Sequence, residues 1–287
     1  MYKPKIAICF SGQPRAWKKA KHYINKFISE FDSTPDIFMH AWDFNSTSTH
    51  IRKASGNTQN IDTPIDKVEL ESLIKNYKPK GVLIESLETC TKIVSKASTQ
   101  AKSLMPATWD NSGCPSWLAP QYYGIKKAAE LKRDYEIKNN FFYDVVIRMR
   151  YDTFLTFEET ILFNFNMPVR LAPLTLYCSN TKKIDDLPFF IAGDILFYAD
   201  SHTYDIVSDY VDYLPYTFKI YGGEKDAKTV LPEKLFSIFL QSMYLNVNPL
   251  VVDPKVIRKD QYFEDLKKYK EEPYKCDMHG NDLSNLL

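Results

Sequence analysis

The segment YDVVIRMRYDTFL, residues 143–155, establishes the fold class of this chain. Its first half is apolar and β-branched, which is typical of a strand buried on both faces. Its second half carries Arg148, Arg150 and Asp152, which share one face if the extended conformation persists, because side chains alternate along a strand. The segment therefore predicts a core strand whose carboxyl end presents two cations and a carboxylate.

Helices and strands alternate on the amino-terminal side of this segment. Short apolar runs predict strands, and longer runs with apolar residues at helical spacing predict helices. The predicted strands are KIAICFSG (5–12), PDIFMHAWD (35–43) and PKGVLIES (79–86), and the predicted helices are 15–31, 66–77 and 119–140. This alternation predicts an α/β fold with a mostly parallel central sheet flanked by helices, whose ligands lie outside the carboxyl ends of the strands.

The remaining segments complete the predicted organisation. The Ser/Thr/Asn-rich residues 44–62 predict a long loop, and residues 91–118 a poorly patterned insertion. Later strands are predicted within 168–178, 188–200 and 248–253, and helices within 201–214 and 231–245. No internal repeat or linker divides the chain, so we expect one domain over residues 1–257. It has two halves, residues 1–155 and 156–257, and is followed by a C-terminal helix and tail (258–287).

Composition limits the classes of function. The chain has 287 residues, of which 44% are hydrophobic, and 37 basic residues stand against 36 acidic ones. This balance gives no general attraction to nucleic acid or to an anionic membrane. The five cysteines are scattered, and no stretch of about 18 apolar residues occurs, so we expect a cytoplasmic protein without disulfides or a transmembrane segment.

Several common catalytic motifs are absent from the sequence. It contains no GxxxxGK[ST] loop, no GxGxxG after the first strand, no GxSxG and no HExxH. Phosphate-loop NTPases, dinucleotide enzymes, serine hydrolases and zincin proteases are therefore disfavoured.

The turn after the first strand is a candidate anion site. In FSGQPRAW, Ser11 and Gly12 permit a tight turn, while Gln13 and Arg15 supply donors for a phosphate or a nucleobase at a helix start. An ordinary strand-to-helix turn with a surface arginine explains the same residues.

Two further groups are candidates for lining a nucleotide site. His40 and Trp42 lie at the end of the second strand, although Trp42 also fits a core residue. Gln121, Tyr122 and Tyr123 open the long helix, where they could face a nucleotide or simply pack.

Arg148, Arg150 and Asp152 have a functional and a structural interpretation. The arginines could bind diphosphate oxygens bidentately, while Asp152 holds a divalent cation that bridges the same diphosphate. Alternatively, Arg150 and Asp152 form an ion pair at the edge of the sheet, which is a common arrangement.

Five segments in this order resemble a family of small viral and bacterial glycosyltransferases related to capsule and lipopolysaccharide sugar transfer. They are IAICFSGQPRAW, DIFMHAWD, QYYGIKKAAELKRDYE, YDVVIRMRYD and IAGDILFYADSHTYDIV, and they span most of residues 4–240. The resemblance implies a GT-A nucleotide-sugar fold, with Asp152 as the last aspartate of a DxD metal motif that binds Mn²⁺ or Mg²⁺. Arg150 stands where that motif has its first aspartate, which leaves metal dependence open.

The resemblance also implies a reaction, namely transfer of a sugar from a UDP- or GDP-sugar to a hydroxyl of a glycan or glycoconjugate. It makes residues 1–257 a catalytic domain, with residues 1–155 as the nucleotide-sugar-binding half and residues 156–257 as the acceptor-side half. Asp194 is the first candidate for the catalytic base, because a carboxylate within an apolar segment is expected to be a stronger base. A paired structural aspartate is the alternative, and Glu233 is the second candidate. Asp152 is the other predicted catalytic residue, through the metal.

Three other classes stay open. A non-catalytic nucleotide- or carbohydrate-binding protein needs an anion site but no convergence of Asp152 with Asp194. A fucosyltransferase of the GT-B fold needs two comparable halves, and a sulfotransferase needs a clearer phosphosulfate loop.

Overall fold

A seven-stranded sheet is the centre of the computed structural model. The residues described are 3–48, 60–104, 118–156, 159–160, 163–164, 167, 171–179, 182–183, 190–222, 232–250, 252 and 254–256. The predicted C-terminal helix and tail, 258–287, lie outside these residues.

Thirteen strands and seven helices are described here. The helices are α1 (Trp17–Ser29), α2 (Lys67–Tyr77), α3 (Leu87–Leu104), α4 (Leu118–Asn139), α5 (Ser201–Ser208), α6 (Tyr210–Gly222) and α7 (Pro232–Ser242). The first seven strands are β1 (Ile6–Gly12), β2 (Asp36–Trp42), β3 (Phe44–Ser48), β4 (Asn60–Pro64), β5 (Gly81–Glu85), β6 (Val145–Met149) and β7 (Thr153–Phe154). The others are β8 (Thr175–Cys178), β9 (Lys182–Lys183), β10 (Phe190–Ile191), β11 (Leu196–Ala199), β12 (Asn246–Pro249) and β13 (Lys255–Val256). No helix in this described part of the chain is long and apolar enough to span a bilayer.

The main sheet has the strand order β12-β8-β11-β6-β1-β2-β5. β11 pairs antiparallel with both of its neighbours, and all other pairs are parallel, so six strands share one direction. Ile8 of β1 pairs with Ile37 on one side and with Ile147 on the other. The predicted mostly parallel sheet is confirmed, with β1 and β6 at its centre.

Both faces of the sheet are buried, which explains the continuous apolar runs in β1 and β6. Ile8 and Ile147 belong to the core that includes α1 and α2, while Cys9 and Val146 belong to the core beneath α4–α7. Burial of each such aliphatic side chain stabilises the fold by about 1.5–3 kcal/mol. Helices on both faces are the expected covering of a parallel sheet, because an uncovered face would leave one of these residue sets in water.

Two predicted irregular regions contain regular structure. β3 (Phe44–Ser48) and β4 (Asn60–Pro64) form an antiparallel pair at the two ends of the predicted loop 44–62, and residues 49–59 between them lie outside the described structure. Residues 87–104 form α3, although residues 91–118 were expected to be unpatterned. The helix buries Ala97 and Ala101 against the core, and these small residues, one turn apart among Ser and Thr, give a weak apolar signal. Residues 105–117 lie outside the described structure.

The segment 143–155 is not extended throughout. β6 ends at Met149, the chain turns at 150–152, and the short β7 then pairs with β13. The predicted common face of Arg148, Arg150 and Asp152 is therefore replaced by a turn that folds Asp152 back towards Arg150.

A buried ionic network joins α4 to α5 and to the start of β6. Lys132 Nζ lies 2.9 Å from Glu136 Oε2 and 3.0 Å from Asp205 Oδ1. Glu136 Oε1 accepts hydrogen bonds from Ser201 Oγ at 2.6 Å and from the backbone N–H of Tyr143 at 2.8 Å. Because the side chains of Lys132 and Glu136 are fully buried, loss of either partner would leave the other charge buried with only part of its compensation.

We expect Glu136→Ala to lower the free energy of unfolding by about 3–5 kcal/mol, because Lys132 would remain buried with its charge poorly compensated. Urea denaturation measures this change. Glu88→Ala is the matched control, since Glu88 pairs with Lys92 at the same i,i+4 spacing but both side chains are about three-quarters exposed. Equal denaturation midpoints for the two variants would contradict this account of the network.

Candidate active site

The strand order locates a crevice between the carboxyl ends of β1 and β6. β2, the next strand in the chain, lies beside β1 on one side, and β6, which comes later in the chain, lies beside β1 on the other side. Doubly wound sheets bind ligands outside the carboxyl ends of their strands at such a reversal, because the connections on either side diverge and leave a gap. Here that gap lies beyond Gly12 and Met149.

The turn after β1 directs Arg15 into this crevice. Gly12 has φ +116°, a conformation that L side chains rarely adopt, and Ala16 precedes α1 with φ 56°. The chain therefore reverses sharply between the strand and the helix. Arg15 Nε donates a hydrogen bond of 3.0 Å to Asp152 Oδ2, which joins the turn after β1 to the turn after β6.

Arg150 binds the same carboxylate with its guanidinium fork. Its Nε donates to Asp152 Oδ1 and its terminal Nη2 donates to Oδ2, both at 2.8 Å. Paired parallel bonds of this kind fix the plane of the guanidinium as well as its distance. The ion pair that the sequence left as an alternative is therefore present, and Arg15 extends it to three residues.

Asp152 is almost completely buried behind these two arginines. Its side chain is 1% exposed, compared with 29% for Arg15 and 20% for Arg150. Burial by itself raises the pKa of Asp152, but the charges and hydrogen bonds of Arg150 and Arg15 outweigh it, and the pKa lies below its usual value. Asp152 is thus a weak base with almost no surface for a substrate, and its predicted catalytic role through a metal stays a prediction.

The donor set around Asp152 does not fit the Mn²⁺ or Mg²⁺ that the sequence predicts. These cations take carboxylate and phosphate oxygens as ligands. Both oxygens of Asp152 already accept guanidinium hydrogen bonds, and the described residues contain no group of three or more His, Cys, Asp or Glu side chains suited to a metal. A cation at Asp152 would have to displace Arg15 and Arg150.

Asp194 lies at the same edge of the sheet, in a bend just before β11. Gln121 at the start of α4 donates a hydrogen bond from Nε2 to Asp194 Oδ2. The preceding backbone is held from two directions, since the Ala192 N–H donates to Ser237 Oγ at 2.8 Å and the Gly193 N–H donates to the Ser179 carbonyl at 3.1 Å. Asp194 is therefore fixed in position while its side chain stays partly exposed.

Arg148 supports the bend that carries Asp194 from within the core. It is 1% exposed, and its Nη1 donates a 2.5 Å hydrogen bond to the Ile195 carbonyl. Burial lowers the pKa of Arg148 to about 10, against the opposing effect of Asp194. Burial also acts to lower the pKa of Arg150, but Asp152, with a contribution from Asp194, raises it overall. Asp194 therefore lies within electrostatic reach of both arginines.

A second polar cluster lies at the ends of β2 and β5. His40 Nε2 is 3.0 Å from Glu85 Oε2, and Tyr123 donates its hydroxyl to Glu85 Oε1 at 3.0 Å. The rings of Trp42 and Tyr123 stack with centroids 6.0 Å apart. A Cβ on Gly124 would come within 2.8 Å of His40 Nδ1, so glycine is required for α4 to approach β2 this closely.

Several residues predicted to contact the donor are not placed to do so. His40, Trp42 and Arg148 are at most 2% exposed, and Tyr122 packs at 1% exposure against Tyr210. Because of the helical spacing of α4, Tyr122 faces the core and its neighbour Tyr123 faces the crevice. Ser11 is also buried, whereas Gly12, Gln13, Arg15, Gln121 and Arg150 are partly exposed at the carboxyl edge, as predicted.

Two residues of the edge were missed by the sequence interpretation. Glu85 is the last residue of β5, which pairs in parallel with β2. Ligands of such sheets lie outside the carboxyl ends of the strands, so the same rule that indicated Asp152 would have identified Glu85. Tyr151 donates its hydroxyl to the His40 carbonyl at 2.9 Å and so joins the turn after β6 to β2. Its apolar surroundings gave no sign of this hydrogen bond.

No protein-family model matches the sequence, and no curated protein matches it. Among solved structures, mouse xyloside xylosyltransferase 1 in its apo form has a TM-score of 0.41 at 8% identity over 87% of this chain and 85% of its own. The apo glycosyltransferase GlyE of Streptococcus pneumoniae TIGR4 has a TM-score of 0.36 at 9% identity. The similarity covers 94% of this chain but only 50% of GlyE. A nucleoside-diphosphate-sugar pyrophosphorylase from Vibrio cholerae RC9 has a TM-score of 0.32 at 12% identity, over 85% of this chain and 90% of its own.

The His40–Glu85 pair predicts a pH dependence of stability. Burial lowers the pKa of His40 below 6.5, although Glu85 opposes the shift. Between that lowered value and pH 6.5 the unfolded chain binds a proton that the folded chain does not, so the free energy of unfolding falls as the pH falls. We expect His40→Gln to show a smaller decrease than wild type between pH 7 and pH 5 in urea denaturation.

His202→Gln, on the exposed side of α5, is the control for the loss of a histidine as such. Parallel stability curves for wild type and His40→Gln would show that the ring of His40 does not titrate as its burial requires.

Proposed function

We propose that the protein is a glycosyltransferase that moves a sugar from a nucleoside diphosphate sugar to a hydroxyl group. The observation that carries this proposal is the convergence of Arg15, Arg150 and Asp194 on one crevice at the reversal point of the sheet, where Leu196 pairs with Met149. The guanidinium groups of Arg15 and Arg150 can bind a diphosphate, and the partly exposed carboxylate of Asp194 can accept a proton.

The charges at this edge favour an anionic ligand. The side chains of Arg15 and Arg150 are 29% and 20% exposed there, whereas the carboxylate of Asp152 behind them is 1% exposed. In sugar transfer, the bond between the anomeric carbon and the diphosphate oxygen breaks, and negative charge grows on the diphosphate. Guanidinium groups already fixed in position stabilise that charge more in the transition state than in the ground state.

Asp194 is the carboxylate suited to act as the base towards the acceptor hydroxyl. It is partly exposed, and Gln121 and the backbone around Gly193 hold it in place. A general base must reach the proton that it removes, and Asp152 cannot because two arginines enclose it. We therefore assign proton removal to Asp194 and the orientation of the arginines to Asp152.

The nucleoside is proposed to bind on the β2–β5 side of the crevice. In doubly wound sheets the first mononucleotide-binding half lies over the first strands of the chain. Here the partly exposed Tyr123 and Glu85 border that side, with Trp42 stacked behind the tyrosine. The UDP or GDP donor, the glycan acceptor, the cytoplasmic location and the relation to capsule and lipopolysaccharide enzymes stay predictions from the sequence.

A non-catalytic binding protein is less consistent with this edge. Such a protein needs cations for the ligand but no second, exposed carboxylate within electrostatic reach of them. Asp194 influences both Arg148 and Arg150, and it is held in place without being enclosed.

Thermal unfolding with UDP, GDP, TDP, CMP and adenosine 3′,5′-bisphosphate tests the donor class. We expect one nucleoside diphosphate to raise the melting temperature by about 5 °C at a hundredfold excess over its Kd, since it binds only the folded chain. A shift with the bisphosphate alone would indicate a sulfotransferase, and no shift with any nucleotide would contradict the proposal.

Replacement of the base should separate binding from turnover. We expect Asp194→Asn to bind the identified nucleotide with wild-type affinity and to hydrolyse or transfer its sugar at least about 100-fold more slowly, because an amide does not accept the proton. Release of the nucleoside diphosphate from the sugar donor is the measurement. Asp134→Asn, exposed on α4, is the control, and an active Asp194→Asn enzyme would move the base elsewhere.

A further inference from the structure

The arrangement of Arg15, Arg150 and Asp152 bears on how the diphosphate is bound. We propose that the protein binds the diphosphate of its donor through Arg15 and Arg150 without a divalent cation, and that Asp152 positions these guanidinium groups and binds no metal. The inference rests on the proposed function and specifies its anion site.

Exposure shows which charges a ligand meets first. The side chains of Arg15 and Arg150 are 29% and 20% exposed, whereas that of Asp152 is 1% exposed. A diphosphate entering from solvent therefore meets two guanidinium groups, with the carboxylate behind them. A divalent cation on the same path would be repelled by both arginines before it reached Asp152.

The bonds of Asp152 fix both cations in advance. Arg150 is held by two hydrogen bonds of 2.8 Å, and Arg15 by one of 3.0 Å from Nε. A carboxylate and a phosphate present similar pairs of oxygens to a guanidinium fork, so Asp152 holds the arginines as an anion would. Cations that are oriented before binding lose little conformational entropy when the ligand arrives.

The remaining charges near the crevice also take the place of a metal. Arg148 adds a third positive charge, which is buried at the bend next to Asp194. In enzymes that use a metal, the cation neutralises the charge that develops on the leaving diphosphate. Here the arginines can supply that neutralisation. The carboxylate of Asp152 beside them already accepts guanidinium hydrogen bonds on both of its oxygens.

Isothermal titration of the intact protein with inorganic pyrophosphate and with UDP, GDP and TDP, each in EDTA and in Mn²⁺, tests the proposal. We expect pyrophosphate and one nucleoside diphosphate to bind in EDTA with a Kd within about threefold of that in Mn²⁺. If affinity rises about 100-fold or more with Mn²⁺, as a bridging metal would require, the inference is wrong while the proposed function stands. Binding in neither buffer would overturn both.

Variants give a second readout that differs between the two mechanisms. If Asp152 is a metal ligand, Asp152→Asn weakens pyrophosphate binding in Mn²⁺ and leaves binding in EDTA unchanged. If Asp152 positions the arginines, Asp152→Asn changes the affinity by the same factor in Mn²⁺ and in EDTA. Arg15→Met and Arg150→Met should each lower affinity about tenfold or more through loss of a charge-assisted contact.

Arg133→Met is the matched control, because Arg133 Nε donates to Asp205 at 3.1 Å in a similar pair farther along α4. It lies 12 residues beyond Gln121 in the helix, about 18 Å at the usual rise, and should leave pyrophosphate affinity unchanged. Equal losses in Arg15→Met, Arg150→Met and Arg133→Met would contradict the site. If Asp152→Asn fails to fold, the wild-type comparison of EDTA with Mn²⁺ still decides the proposal.

Discussion

The three-residue ion pair of Arg15, Arg150 and Asp152 is the interaction on which the candidate site depends. It joins the turn after β1 to the turn after β6, across the point where the sheet order reverses. A buried carboxylate is costly unless it is paired and hydrogen-bonded, and two guanidinium groups meet that requirement here. Because such a network adds little net stability compared with apolar packing, its position at the ligand-binding edge favours a role in recognition.

A second buried network keeps the rest of the edge in place. Lys132 and Glu136 hold α4 against α5 and against the start of β6, so the opposite end of the helix presents Gln121 to Asp194 and Tyr123 to Glu85. The site therefore combines a rigid sheet edge with one long helix whose orientation is set by charges in the core. Rigid elements of this kind position catalytic groups more precisely than loops do.

The sequence predicted the layers of the fold and the strand ends that form the site. The spacing of apolar residues and the glycine in the turn after β1 are local features of the sequence, so they can be recognised without the structure. It did not predict the helix α3, because the residues that pack against the core, Ala97 and Ala101, are small and give only a weak apolar pattern among Ser and Thr. The sequence also could not indicate that Asp152 pairs with Arg15, because this pairing spans 137 residues and no local pattern records it. The helical phase of Tyr122 and Tyr123 was likewise decided by packing against α6 and β2.

The central claim is that an anion binds between the turns after β1 and β6 by contact with arginine. A crystal structure of the protein with pyrophosphate, grown in EDTA, tests it most directly. The account predicts pyrophosphate density within hydrogen-bond distance of the guanidinium groups of Arg15 and Arg150, at the carboxyl edge of the sheet. Density at the opposite edge, for example in the cleft of about 570 Å³ lined by Asn25, Tyr77 and Lys80, would contradict the account.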